Sequence, residues 1–170
     1  MAQRARLMDK ERVMERVRSQ EIRSGRRNRL RDADAIPYAA RIGVRVSDTQ
    51  DLIHRVEQGF SYQAFERLRI LLGLSAAELT ALLQIPKRTL TRRRQTGKFA
   101  PDESERLLRL SRVLDAAIEL FEGKHPAAVE WLQSPNRALG GEVPIKMART
   151  EIGALEVENL IGRLEYGVSS

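Results

Sequence analysis

Apolar residues recur at three- and four-residue spacing between positions 47 and 73, which predicts two short amphipathic helices. Each helix begins at a serine that can act as a cap, Ser47 or Ser61, and ends at a glycine, Gly59 or Gly73. The residues between these signals are rich in leucine. We therefore expect the apolar stripes of both helices to share one core.

The next two predicted helices are joined by a tight turn. Ser75 followed by Glu78 forms a capping box, which opens a helix that stops near Leu83. Pro86 suits the first turn of another helix because its missing N–H costs nothing there, and Gly97 suits the end of that helix. Two helices separated by so few residues have the spacing of a helix-turn-helix.

The second helix of this pair presents a row of polar side chains on one face. When Leu90 and Ile85 are turned to the core, Arg88, Arg92 and Gln95 fall on the opposite side of a helical projection. Arginine and glutamine can pair with guanine and adenine edges, so this arrangement fits a recognition helix in the major groove. Further candidate DNA contacts flank the row: Lys87, Thr89, Thr91, Arg93, Arg94 and Lys98.

Two other interpretations of this basic helix remain open. A run of charge is usually a solvated helix face, and RNA is a second polyanion that such a face could bind. We favour duplex DNA because the run coincides with the second helix of a helix-turn-helix. RNA is disfavoured because Phe99 is the only aromatic residue near the run. One helix reads only a few base pairs, so we also expect a homodimer.

The rest of the chain is also patterned for helices, so the predicted fold class is all-α. A long helix follows Pro101, with acidic residues in its first turn and an apolar stripe that reaches Phe121. The last third is divided into three short helices by turn residues at 134–136, 140–141 and 150–153. On the last helix four residues are expected to face inward: Leu155, Leu160, Ile161 and Leu164.

Charge is distributed unevenly along the chain. Residues 1–46 hold 13 basic and 6 acidic side chains, residues 47–110 hold 11 and 8, and residues 111–170 hold 6 and 9. A basic front and an acidic back indicate that nucleic acid and another partner use different segments. The first 46 residues are predicted to be a flexible arginine-rich extension, either a solvated tail or a DNA-contacting arm. The alternation of Ile42 and Val44 predicts a short extended segment near its end.

Composition excludes several classes of site. The chain has no cysteine, and its two histidines, His54 and His125, stand far apart, so we expect neither a metal nor a cofactor. The double glycine at 140–141 lacks the motif of a phosphate-binding loop. No apolar run is long enough to span a bilayer, and the charged start does not resemble a signal peptide, so we expect a cytoplasmic protein without membrane contact.

The motifs of the last third, taken in order, resemble the Xre/MbcA/ParS family of antitoxins. The helix-turn-helix resembles the Xre type of the same family, and the resemblance covers roughly residues 48–170. The residues that carry it are Arg88-Thr89-Leu90, Arg92-Arg93, Glu103-Ser104, Arg106-Leu107, Trp131-Leu132, Pro135-Asn136, Leu139-Gly140-Gly141, Pro144, Ala148-Arg149-Thr150-Glu151-Ile152-Gly153, Val157-Glu158 and Gly162-Arg163-Leu164-Glu165-Tyr166-Gly167-Val168.

This resemblance implies a protein with two tasks. An Xre-like helix-turn-helix domain, residues 47–110, would bind operator DNA and repress its own operon. A small helical domain, residues 111–170, would neutralise a RES-domain toxin that depletes NAD. Its short terminal tail would enter a cleft of the toxin that a folded domain cannot. The candidate toxin-binding residues are Arg163, Glu165, Tyr166, Gly167, Val168, Ser169 and Ser170.

Two other function classes were weighed against the antitoxin. A plain helix-turn-helix transcription regulator would use its C-terminal region only for dimerisation, and it would bind DNA but no co-encoded protein. An enzyme ranks third, because no recognisable motif places a nucleophile, a base and an orienting group together. The sequence therefore favours a DNA-binding antitoxin without catalytic activity.

Overall fold

The computed structural model describes residues 36–167, and within that range it is helical without named strands. The predicted all-α class is thus confirmed. A 3-10 turn over Arg137–Leu139 separates the seventh and eighth α-helices. The α-helices are α1 (Pro37–Arg41), α2 (Thr49–Gln58), α3 (Tyr62–Leu72), α4 (Ala76–Leu82), α5 (Lys87–Thr96), α6 (Pro101–Leu120), α7 (His125–Gln133), α8 (Pro144–Met147) and α9 (Glu151–Glu165).

Helix α6 is the central element of the fold. It is 20 residues long, and its inward side chains, among them Leu107, Leu110 and Leu114, are completely or almost completely buried. Helices α1, α2, α3, α7 and α9 all pack against it. The described residues belong to one compact unit, and the predicted domain boundary between positions 110 and 111 falls inside α6. The two predicted domains therefore share one helix and one core.

The predicted C-terminal boundary of the flexible extension, at residue 46, lies too far along the chain. Residues 36–46 belong to the folded unit, and Ala39 and Ile42 are buried. The Ser111 hydroxyl donates a hydrogen bond to the Tyr38 carbonyl, and Arg41 pairs with the buried Asp115. Because these groups satisfy buried polar atoms of α6, the segment is part of the core. Residues 1–35, with the rest of the predicted extension, lie outside the described residues.

The predicted extended segment is also wrong in its secondary structure. Residues 37–41 form helix α1, which ends in a turn at Ile42 and Gly43. The alternation nevertheless identified the inward side, since Ile42 and Val46 are buried while Val44 packs partly against the core. No strand of the described chain lies beside this segment, so its backbone bonds are made within the helix and turn.

Helix starts follow the predicted positions with two corrections to the caps. Ser61 stands at the N-cap of α3, but its side chain makes no capping hydrogen bond. Asp48, not Ser47, caps α2, because its carboxylate accepts the Asp51 backbone N–H at 2.9 Å. That bond lowers the pKa of Asp48. The capping box of Ser75 and Glu78 at the start of α4 is confirmed.

No helix among residues 36–167 is long and apolar enough to cross a membrane.

Candidate functional site

The predicted helix-turn-helix is formed by α4 and α5. Its turn contains Leu83 and Ile85, both buried, and Gln84 in the left-handed region with φ 54°. The Arg106 guanidinium of α6 donates to the carbonyls of Leu83 and Gln84 at 3.0 and 3.3 Å, and it also pairs with Asp102 at 2.7 Å. Arg106 thus holds the turn to the central helix, because it binds carbonyl groups at the end of α4 that have no partner within the helix.

Helix α5 has no fully buried residue, so apolar packing alone cannot hold it in place. Its one large apolar side chain, Leu90, is half-buried. The end of the helix is fixed by a short antiparallel bridge, in which the Gly97 carbonyl accepts from the Tyr62 N–H at 2.8 Å. In the same bridge the Phe99 N–H donates to the Phe60 carbonyl at 2.9 Å.

The bridge depends on a close approach of two backbone segments. Gly59 has φ +80°, and a Cβ atom added to it would lie 2.1 Å from the Phe99 carbonyl oxygen. Any other residue would therefore push the two segments apart. Beneath the bridge the rings of Tyr62, Phe65 and Phe99 stack with centroids 5.5 to 5.9 Å apart. These rings anchor the start of α3 and the end of α5 to one core.

Glu103, near the start of α6, is the main polar anchor of α5. Its side chain, in a residue only 6% exposed, accepts from the Arg93 Nε and Nη2 atoms at 2.7 and 3.1 Å. The same carboxylate accepts the Ala100 N–H at 2.7 Å and so completes the first turn of α6. Next to it, the buried Ser104 hydroxyl accepts from Phe60 at 2.9 Å and donates to the Ala100 carbonyl at 2.8 Å.

The predicted outward row is present on the surface of α5. Arg88, Arg92 and Gln95 are all exposed, whereas Ile85 is buried as expected and Leu90 only half-buried. α5 carries no acidic residue. Of the flanking candidates, most are also exposed: Lys87, Thr91, Arg94 and Lys98. The result is a solvent-facing basic surface of the size and composition that a recognition helix requires.

Three flanking candidates already make hydrogen bonds within the protein: Arg93, Thr91 and Lys98, whose Nζ atom donates to the Gln58 carbonyl at 3.3 Å. Arg93 was predicted to contact DNA, but its guanidinium is turned inward and pairs with Glu103. Thr89 is half-buried, and the Thr91 hydroxyl donates to the Lys87 carbonyl of its own helix at 3.1 Å. Arg93 therefore positions α5, and base contacts by the exposed row stay a prediction.

Helix α9 is fixed to α6 by a network of ion pairs. Arg112 donates to Glu151 at 2.7 Å and to Glu158 at 2.6 Å, while Arg109 lies 2.9 Å from Glu151 and donates to the Arg149 carbonyl at 2.7 Å. Hydrogen bonding from Arg112 holds the pKa of Glu151 below its ordinary value. The start of α9 is thus set by arginines of the same helix that supports α5.

The outer face of α9 differs from the prediction. Leu160 and Ile161 are buried as expected, but Leu155 and Leu164 are 53% and 49% exposed. Leu155 is exposed because α9 packs on α6 with the opposite side and no described residue covers the outer one. Leu164 lies on the same side of α9 as Leu160 and is exposed near the end of the helix. Ile152 is even more exposed, at 84%. α9 therefore carries apolar side chains on two faces, only one of which serves the core.

The candidate toxin-binding residues lie at the end of α9. Glu165 is its last residue, and Tyr166 and Gly167 follow it, all exposed. Arg163 lies 3.6 Å from Glu156 of its own helix. The other three candidates, Val168, Ser169 and Ser170, lie outside the described residues.

Two features of the site were not found from sequence. The first is the capping role of Glu103, which the position of an acid three residues after Ala100 signals, while its contact with α5 has no sequence signal. The second is the exposure of Ile152. The signal was there, since Ile152 and Leu155 cannot share a helix face with Ile161 at 100° per residue.

The fold and these two surfaces define a helical DNA-binding regulator with a second interaction domain, and comparison with known proteins specifies its class. Residues 51–112 match the antitoxin Xre-like helix-turn-helix domain, and residues 116–167 match the antitoxin Xre/MbcA/ParS C-terminal toxin-binding domain. A protein of Yersinia enterocolitica named Antitoxin Xre is 42% identical over 130 residues, which are 76% of this chain and 88% of that protein.

A second Antitoxin Xre, from Photorhabdus laumondii, is 50% identical over 74 residues, which are 44% of this chain and 50% of that protein. The chain belongs to the Xre/MbcA/ParS antitoxin family. It combines a helix-turn-helix domain with a toxin-binding domain, in a family of regulators that are not enzymes.

Replacing Glu103 tests how α5 is held. Glu103→Gln should lower the free energy of unfolding by about 3 kcal/mol, because the guanidinium of Arg93 loses its buried counter-charge. The exposed neighbour Glu105→Gln is the matched control and should change it by less than about 0.5 kcal/mol. Urea denaturation followed by circular dichroism gives both values. Equal stabilities of the two variants would show that Arg93 and Glu103 do not support the fold.

The network at the start of α9 predicts a pH dependence. Since the pKa of Glu151 is lowered in the folded state, its contribution to stability is complete above the ordinary value of 4.5 and is lost as pH falls below it. The melting temperatures of the wild type and Glu151→Gln should therefore differ at pH 7 and converge below pH 4.5. Glu119→Gln, at an exposed site on α6, should follow the wild type at every pH. A gap that stays constant with pH would contradict the assignment.

Proposed function

We propose that this antitoxin neutralises a RES-domain toxin that depletes NAD, and that it also binds the operator of its own operon and represses it. The observation that carries the proposal is the presence of two separate exposed surfaces on one compact unit. One is the basic face of α5, and the other is the outer face and end of α9. The RES identity rests on the resemblance of the C-terminal motifs to antitoxins with such partners.

DNA binding is supported by the geometry of α5. Arg88, Arg92 and Gln95 form one exposed row, and Lys87, Arg94 and Lys98 flank it on the same helix or just after it. The row would read base edges while the flanking cations contact phosphates. One helix contacts only a few base pairs. Two copies bound to inverted half-sites would together recognise a sequence as long as an operator.

Toxin neutralisation is supported by the position of the chain end. Tyr166 and Gly167 follow α9 directly and project from the region that matches a toxin-binding domain. A tyrosine offers both a large apolar area and a hydroxyl group, and such side chains contribute strongly to interfaces. The tail would occupy or shield the toxin's cleft while the domain holds it there.

Single substitutions on α5 test the DNA-binding proposal. Arg88→Ala or Arg92→Ala should weaken operator binding by about 1 to 3 kcal/mol and relax the preference at one base pair per half-site. Arg94→Ala should weaken all duplexes about equally, because a phosphate contact carries no sequence information. Arg137→Ala, an exposed arginine of the last third, is the charge-matched control. Fluorescence anisotropy with the promoter duplex and a scrambled duplex measures both effects. If the three α5 variants bind both duplexes like the wild type, α5 is a solvated face.

Truncation of the tail tests the toxin proposal. Deleting residues 165–170 should leave operator affinity unchanged and abolish most of the protection of NAD, while Arg88→Ala should have the opposite effects. Tyr166→Ala should require at least about tenfold more antitoxin for the same protection. The assay follows NAD loss caused by the toxin encoded beside this gene, at equal antitoxin concentrations. Full protection by the truncated protein would exclude the tail from inhibition.

The competing function is a transcription regulator whose C-terminal region only dimerises. The exposed apolar side chains of α9 are the observation that favours it, because they would also suit a second copy. Co-purification with the neighbouring gene product distinguishes the regulator from the antitoxin. A regulator of this kind would not co-purify with the neighbouring gene product, whereas the proposed antitoxin would.

A further inference from the structure

Exposed large apolar side chains are concentrated on α9 and at its C-terminal end. Among residues 36–167, four of the six large hydrophobic residues that are exposed lie on this helix or just after it, namely Ile152, Leu155, Leu164 and Tyr166. The other two, Ile53 and Ile70, lie singly on α2 and α3. Scattered apolar residues are normal on a protein surface, whereas a cluster on one element marks an interaction site.

Most of this cluster forms one continuous stripe. At 100° per residue, Ile152, Leu155, Asn159, Arg163 and Tyr166 fall within an arc of about 80°. We call these five residues the α9 stripe. Its centre lies roughly opposite the buried side of the helix, and it extends from the start of α9 to the first residue of the tail.

The stripe joins a groove at its N-terminal end. A cavity of about 840 Å³ lies between α4 with Leu74 and the segment of residues 142–153, and we call it the α4 groove. Its apolar lining includes Leu82, Val143 and Met147. Four charged side chains lie at its edge, two acidic and two basic: Glu78, Glu142, Lys146 and Arg149. Ile152 lines the groove and also begins the stripe, so the two form one surface.

We propose that the toxin docks over the whole of this surface, from the α4 groove along the α9 stripe to the tail. This inference rests on the proposed function. The partner element would be an amphipathic segment of the toxin, with apolar side chains in the groove and charges of both signs facing its edge. The toxin would then contact the first helix of the helix-turn-helix as well as the toxin-binding domain.

One observation and two arguments favour the toxin as the occupant. The stripe and one wall of the groove lie within residues 116–167, the region that matches a toxin-binding domain. Specific interfaces use about 20 to 30 residues per side, so a tail of six residues is too small to hold a toxin alone. A second copy placed on the stripe would cover Tyr166 and compete with the predicted tail contact.

The experiment measures the affinity of full-length antitoxin variants for the purified RES-domain toxin encoded beside this gene. Ile152→Asp and Asn159→Tyr alter the stripe at exposed positions, and Ala81→Tyr fills the groove from α4. Each should bind the toxin about 30-fold more weakly, the loss expected for a central interface residue. Ile70→Asp and Ala77→Tyr are matched controls at exposed positions outside the surface and should bind like the wild type.

The possible outcomes separate the inference from the proposed function. If the wild type itself does not bind the toxin, the proposed function fails and the inference fails with it. If the wild type binds and the three variants bind equally well, the tail acts alone and only the inference is overturned. Analytical ultracentrifugation of the same variants adds a third outcome: loss of self-association with unchanged toxin affinity would assign the surface to a second copy and would also overturn the inference. Melting curves confirm that the compared proteins are folded.

Discussion

A single buried carboxylate determines how this protein presents its basic helix. Glu103 accepts from two nitrogens of Arg93 and from the Ala100 N–H, so it joins α5 to α6 and also completes the first turn of α6. α5, the second helix of the helix-turn-helix, has no fully buried residue. The buried hydrogen bonds of Glu103 and the antiparallel bridge at the end of α5 replace the apolar packing that holds the other helices.

Helix α6 extends this arrangement to the other half of the molecule. Three of its arginines, Arg106, Arg109 and Arg112, stand three residues apart and contact different parts of the fold. Arg106 holds the turn of the helix-turn-helix, while Arg109 and Arg112 hold the start of α9. Because one helix carries all three, the basic face of α5 and the outer face of α9 are held by the same element within the described unit.

Much of this structure could be predicted from the sequence, because helix starts and ends depend on local chemistry. The capping box at Ser75 and the glycine after α5 acted as expected, whereas Pro86 is the N-cap residue before α5 and not part of its first turn. The outward row of α5 followed from helical periodicity alone. The role of Arg93 could not be predicted in this way, since its partner is ten residues away on another helix and a projection of α5 shows no acid.

Predictions also failed where a segment depends on distant partners. Residues 36–46 carry an apolar alternation that is typical of a strand, but they form a helix and a turn that Ser111 and Asp115 of α6 bind. The inward assignment of Leu155 failed for a related reason, because the sequence of α9 has apolar residues on both sides and does not specify which side meets α6. The ion pairs of Glu151 and Glu158 with Arg112 settle that choice, and they leave the other apolar side of α9 exposed beside the groove at α4.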